Sequence, residues 1–195
     1  MSGLRERKKA RTRARIQREA LHLFREQGYA ATTVEQVAEA AEVSPSTFFR
    51  YFPSKEDLLV LDDHLPLSAA LARAVEEQPA HVPAIGAVRA AVRTVLADLT
   101  PEDRSARTER DVALLAVPEV WSANLGLLVR ALDELDALLA RRTGRDRRDP
   151  AVRTAGGAVL GVAVRVLLDA AGDPDADPAA ALDEALAVLE AGLPL

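Results

Sequence analysis

Residues 32–57, TTVEQVAEAAEVSPSTFFRYFPSKED, hold two short helix signals with a tight turn between them. Thr33 stands where an N-cap stands, and Gln36 three residues on can reach back to complete a capping box. Val34, Val37, Ala38 and Ala41 follow at three- and four-residue spacing, so one stripe of this helix faces a core. Ser44 before Pro45 opens a second helix, because the hydroxyl accepts from free first-turn N–H groups and proline presets the backbone. That second helix is too short to stand alone and needs tertiary packing to hold it.

The packing row is Phe48 and Phe52, four residues apart, with Val43 ahead of them. Ser46, Thr47, Phe49, Arg50 and Tyr51 are then left facing outward. Hydroxyls, a guanidinium and two aromatic rings on one short face suit phosphates, base edges and thymine methyl groups. Ser54 with Asp57 reads as a further cap, and Lys55 beside that helix N-terminus is placed to hold a phosphate.

The first 18 residues contain Arg5, Arg7, Lys8, Lys9, Arg11, Arg13, Arg15 and Arg18 against the single acid Glu6, a net charge of +7. The remaining 177 residues carry −12, so the overall −5 conceals a basic arm on an acidic body. Such polarity confines polyanion binding to one end. After the arm, Ile16, Ala20, Leu23 and Phe24 fall at helical spacing, and Gly28 is a natural stop. A Phe-Phe-x-Tyr-Phe cluster alone is an ordinary core pattern, and a basic terminus alone is an ordinary solvated tail. Combined with the capped short helix and its outward hydroxyls, they point to binding of duplex DNA.

Residues 11–60 resemble the N-terminal domain of TetR-family transcriptional regulators. The likeness rests on I-x-x-x-A-x-x-L-F (Ile16 to Phe24), Gly28, Thr32-Thr33, Val37-Ala38, Val43-Ser44, Thr47-Phe48-Phe49-x-Tyr51-Phe52 and Ser54-Lys55-Glu56-x-Leu58-Leu59. The resemblance implies an all-α protein, with a three-helix helix-turn-helix domain over residues 1–53 and a helical effector-binding and dimerisation domain over 54–195. It also implies that Thr33, Ser46, Thr47 and Lys55 approach the DNA backbone and that Pro45, Phe49 and Tyr51 lie against the groove. Val43, Phe48 and Phe52 would be structural, and Arg11, Arg15 and Arg50 complete the expected DNA-binding set. Glu42 departs from the pattern, since such proteins commonly place glycine in this turn; a left-handed glutamate would cost on the order of 1 kcal/mol.

Beyond residue 54 the chain reads as helices punctuated by proline and glycine. A connector is expected from Ser54 toward His64, breaking near Pro66, then helices over 67–78 and 83–99, and one opened by Thr100-Pro101 with Asp103 as its cap acid. A long helix is expected from Pro118 to about Arg142, stopping at Gly144, and two more over 150–171 and 178–192. No period-two run long enough for a buried strand is present.

The helix over 150–171 is apolar nearly all round, with Gly156, Gly157, Ala158, Gly161 and Ala163 leaving little bulk on part of it. Such a helix is buried on more than one side. Burial within one subunit is one explanation; the favoured one is a homodimer interface with the last helix, using Gly157, Gly161, Val164, Leu168, Leu182, Leu186 and Leu189. A twofold dimer would set two reading helices on a near-palindromic operator.

Six of the seven aromatic residues fall in the first 52 positions, leaving only Trp121 beyond. An aromatic cage for a cation is therefore excluded, and an aliphatic-walled pocket for an apolar or acyl-type small-molecule effector is expected. Trp121 and Asn124 could supply its hydrogen-bonding edge. Arg165, alone in an apolar run, is expected to snorkel or to pair across the dimer.

His22, His64 and His81 are too scattered for metal-ligand spacing, and no nucleophile–base pair or phosphate loop is present. Asp62-Asp63-His64 reads as a solvated connector surface. No catalytic residue, metal or cofactor is expected. Zero cysteines suit a reducing interior, and the longest apolar run, Ala158 to Leu168, carries Arg165 and is too short for a bilayer. The expectation is a cytoplasmic protein without a membrane span.

Overall fold

The computed structural model describes residues 2–60, 67–173 and 176–194, and for residues 2–7 and 67–68 the backbone alone. Among the described residues every regular element is helical. In chain order these are α1 (Ser2–Gln27), α2 (Val34–Ala40), α3 (Pro45–Tyr51), a 3-10 turn (Glu56–Leu58), α4 (Leu67–Glu76), α5 (Ala84–Ala97), α6 (Pro101–Ala116), α7 (Pro118–Thr143), α8 (Pro150–Gly172) and α9 (Pro178–Glu190). The all-α architecture expected from the sequence is present, and side-chain caps account for the starts of α2, α3, α6, α8 and α9.

Thr33 accepts from the Gln36 N–H at 3.2 Å while the Gln36 side chain accepts from the Thr33 N–H at 2.8 Å, closing the capping box of α2. Ser44 accepts from the Thr47 N–H at 3.2 Å, with Pro45 in the first turn of α3. Thr100 accepts from the Asp103 N–H at 3.1 Å at the start of α6. Asp149 and Asp177 cap α8 and α9, each followed by proline. Gly28, at φ 85°, takes the left-handed conformation that ends α1.

Two expectations are corrected. The basic arm is not a tail ahead of the first helix: α1 already includes it from Ser2. Nor does a connecting helix start at Ser54; Asp57 instead accepts from both the N–H and the hydroxyl of Ser54, and only a single 3-10 turn follows. The rest of the expected connector, with Asp62, Asp63 and His64, lies outside the described residues.

The chain divides into two compact units, Met1–Leu61 with Ala106–Asn124, and Asp62–Ser105 with Leu125–Leu195. In the first, Ile16, Ala20, Leu21 and Phe24 of α1, Val37, Ala38 and Ala41, Phe48 and Phe52, and Leu58 are all buried. Val112, Ala113, Val117 and Val120, from the later segment of this unit, are buried as well.

In the second unit α5 packs on α4 and α9, and α8 packs on α9. Val75, Val88, Ala91, Leu139, Val152, Val159 and Leu186 form its core. By length and composition α8 could cross a bilayer, with a mean hydropathy of 1.6 over its most apolar window, although only 22% of that window is buried. The shorter run counted from the sequence understated this helix; Val152 and Val159 nevertheless commit it to the same core as α5 and α9.

Arg89 of α5 donates to both oxygens of Asp183 at 2.9 and 3.0 Å and to Glu190 at 3.3 Å, both acids on α9. Hydrogen bonding to Arg89 holds the Asp183 carboxyl below its ordinary range, and burial opposes the shift. A folded-state value below the unfolded one gives stability that is present above about pH 4 and is lost as pH falls through the folded value. Thermal unfolding followed against pH should therefore show wild type and Asp183→Asn differing at neutral pH and converging below about pH 4. A constant gap across that range would exclude this linkage.

Candidate nucleic-acid interface and effector segment

The inward row of α3 places Phe48 and Phe52 at 0% exposure, with ring centroids 5.9 Å apart. Because side chains 100° apart on a helix cannot all face one core, Phe49 is turned out, at 50% exposure, and Ser46 and Arg50 are exposed beside it. Thr47 and Tyr51 are half-buried, and Pro45 is exposed. Arg50 lies 5.3 Å from the Tyr51 ring, a cation–π contact that lines the two up along one edge of α3. Thr33 is exposed at the start of α2. The helix thus offers two hydroxyls, one guanidinium and one free aromatic face on a single side.

α1 positions α3 from behind. Arg13 donates to the Tyr51 carbonyl at 2.8 Å and stacks 4.4 Å over the Phe52 ring. Gln17 donates to the carbonyls of Leu58 at 3.1 Å and Val60 at 2.9 Å, fixing the stretch after the 3-10 turn. Arg11 is exposed on α1, while Arg15 is half-buried and sits 3.6 Å from Glu42. Arg5 and Arg7 fall among the residues whose side chains are not described.

Glu42 itself has φ 51°, the left-handed conformation that the family resemblance implied for this turn. Relief of that strain makes Glu42→Gly an expected gain of about 0.5–1 kcal/mol, since the exposed pair with Arg15 contributes little. Chemical denaturation would measure it; a loss of stability would show that Glu42 holds the turn through contacts of its own.

Lys55 does not stand free beside a helix dipole. Its amine donates to the Tyr29 carbonyl and lies 4.1 Å over the Tyr29 ring, whose hydroxyl reaches Glu56 at 3.4 Å. Burial raises the Tyr29 hydroxyl above its ordinary value, and Glu56 adds to the shift. The three-residue 3-10 turn replaces the helix whose N-terminus was to assist Lys55. A lysine ammonium has three donors, so a phosphate contact remains available to it.

Asn124 is the clearest reassignment. At 4% exposure, its amide donates to the Leu59 carbonyl at 2.6 Å and to the Val120 carbonyl at 2.7 Å. Both amide hydrogens are occupied, so Asn124 is a tie between α7 and the stretch after the 3-10 turn rather than a donor to an effector. Trp121, half-buried on the same helix, keeps its place as a candidate. His22 Nδ1 lies 3.3 Å from Glu109, a contact between α1 and α6 that the sequence did not suggest. A separate cleft of about 520 Å³ in the second unit is lined by Asp133, Asp136, Asp146, Arg147, Arg148 and Arg153, a charged rather than aliphatic wall.

On α8, Gly157, Gly161 and Leu168 are exposed and Val164 is half-buried. Leu182 and Leu189 of α9 pack partly against the core. Leu186 is corrected: at 1% exposure its side chain is inside its own subunit and has nothing to offer a partner. Arg165 pairs with Asp169 at 2.9 Å, one turn along the same helix.

Residues 16–60 match the family model for bacterial regulatory proteins of the tetR family, and residues 82–194 match that for the MftR C-terminal domain. The chain belongs to the TetR family. It is 41% identical over 143 residues to the HTH-type transcriptional regulator TcmR of Streptomyces glaucescens, a stretch covering 71% of this chain and 62% of TcmR's own length. Among solved structures it is similar to Thermus thermophilus FadR in complex with lauroyl-CoA, with 27% identity, a TM-score of 0.52, and coverage of 94% and 95% of the two chains. It is also similar to SmeT, the repressor of the Stenotrophomonas maltophilia efflux pump SmeDEF, with 25% identity, a TM-score of 0.60, and coverage of 90% and 89%. These TetR-family relatives are named as regulators and not as enzymes.

Proposed function

We propose that this TetR-family chain is a homodimeric, DNA-binding transcriptional repressor released from a near-palindromic operator by a small apolar or acyl-type effector. The observation that carries the reading is the division of labour on α3: Phe48 and Phe52 are buried while Ser46, Phe49 and Arg50 are exposed on a helix seated by Arg13. That face fits a major groove, with Thr33, Pro45, Thr47, Tyr51, Lys55, Arg11 and Arg15 as flanking contacts. T. thermophilus FadR was solved with lauroyl-CoA, which favours an acyl-type effector here. The expected site is the cytoplasm, where the DNA is.

Dimerisation is assigned to Gly157, Gly161, Val164, Leu168, Leu182 and Leu189. A Cβ added at Gly157 or Gly161 would meet nothing in its own chain. Each interior helix glycine costs about 1 kcal/mol relative to alanine, and within the subunit no packing offsets that cost. Close approach of a second α8 would. For release, the effector must bind unequally to the DNA-competent and DNA-incompetent states, and the gain in one is the loss in the other. Asn124 joins the start of α7 to residue 59 within the unit that holds the DNA-reading helices.

Tyr51→Ala and Lys55→Ala are each expected to weaken operator binding about tenfold, the loss of one good contact. Gel-shift titration at fixed salt would measure this, with circular dichroism as a fold control because Lys55 also holds Tyr29. Unchanged affinity in both variants would remove these residues from the interface.

A further inference from the structure

Arg107, Arg110 and Asp111 share one face of α6, at spacings of three and four residues. Arg107 Nε lies 3.3 Å from one Asp111 oxygen, and Arg110 donates to the other from Nε at 3.3 Å and Nη2 at 3.2 Å. Two guanidiniums therefore share one carboxylate, and the trio carries a net charge of +1. Arg107 Nη1 is buried and has no hydrogen-bond partner. A buried donor of a charged group without an acceptor bears the full desolvation cost, so natural proteins rarely leave one unless it serves another state. Burial pulls the Arg107 guanidinium below its ordinary value; Asp111 opposes the shift and Arg110 adds to it. Two guanidiniums on one carboxylate leave the trio one negative charge short, and the unpartnered Nη1 leaves it one acceptor short.

We infer that Arg107, held in line by Asp111, receives the carboxylate of an acidic effector whose remaining body is apolar. The inference rests on the apolar-effector reading above and specifies its head group. One missing charge matches a monocarboxylate, whereas a phosphate dianion would leave a surplus negative charge beside Asp111. The guanidinium is planar, and with Asp111 engaged at Nε its Nη1 edge is preorganised for a carboxylate oxygen. Val112 and Ala113, next along α6, are buried, and Trp121 belongs to the same unit.

The test uses the full chain with decanoate and decan-1-ol as probes, which share an alkyl body and differ in charge. Binding is followed by calorimetry and by the fluorescence of Trp121, the single tryptophan. Wild type is expected to bind decanoate roughly ten- to a hundredfold more tightly than the alcohol, the ratio one charge-assisted hydrogen bond supplies. Arg107→Met is expected to bring the two within about threefold by weakening the acid alone. Should that variant fail to fold, Arg107→Gln carries the same comparison, and the wild-type preference still decides. Equal binding of acid and alcohol by wild type, or a preference that survives the substitution, overturns the role of Arg107 and leaves the apolar-effector reading standing. Binding of neither probe overturns both.

Discussion

Phe48→Ala is expected to destabilise the protein by about 3–5 kcal/mol, the range for truncating a fully buried phenylalanine. The ring is at 0% exposure and lies edge-on to Phe49 at 5.4 Å as well as beside Phe52. Its helix has seven residues and no stability of its own, so the lost packing has nothing local to replace it. Against a total of roughly 5–15 kcal/mol this is a large fraction, and for a chain of this size it corresponds to a fall in Tm of about 6–20 °C. The neighbouring substitution should do the opposite. Phe49→Ala, at a half-exposed ring, should cost under about 1 kcal/mol of stability yet lose tenfold or more in DNA affinity. Calorimetry and gel-shift titration on the two variants separate folding from reading. If both lost stability alike, α3 would be core on all sides and the groove assignment would fail.

The second large effect is expected at Asn124. Replacing it with leucine keeps the volume but leaves the half-buried Leu59 carbonyl without its donor, a cost of about 1–2 kcal/mol. The Val120 carbonyl is less affected, because it lies within α7, where the helix ladder supplies bonds. Amide exchange at Leu58 and Leu59, whose N–H groups close the 3-10 turn, should accelerate as that stretch loosens. Stability within about 0.3 kcal/mol of wild type would show that Asn124 ties nothing.

These residues also mark where the sequence was legible. Thr33 with Gln36, Ser44 with Pro45, and Thr100 with Asp103 are local chemistry, so the helix starts they dictate could be read directly. The burial of Phe48 and Phe52 followed from spacing, and the strain at Glu42 followed from the family resemblance, which places glycine in that turn. What sequence could not show depends on partners distant in the chain. Asn124 meets residue 59, Lys55 meets residue 29, and Leu186 meets the core of its own subunit. Arg107 left no signal either, since Arg-x-x-Arg-Asp on a helix looks like any solvated face until burial is known. The segment 106–124 was assigned to the C-terminal part by position; its grouping with the first unit arises from contacts that no periodicity encodes.

The central claim is that the exposed face of α3 reads duplex DNA in a sequence-dependent way. Selection of bound duplexes from a random pool by the purified full-length protein tests it most directly. The account predicts enrichment of one near-palindromic sequence, bound with an affinity that falls steeply with salt and that is lost in Phe49→Ala. A pool that stays random through successive rounds, or an enriched sequence bound equally well by Phe49→Ala, would contradict it.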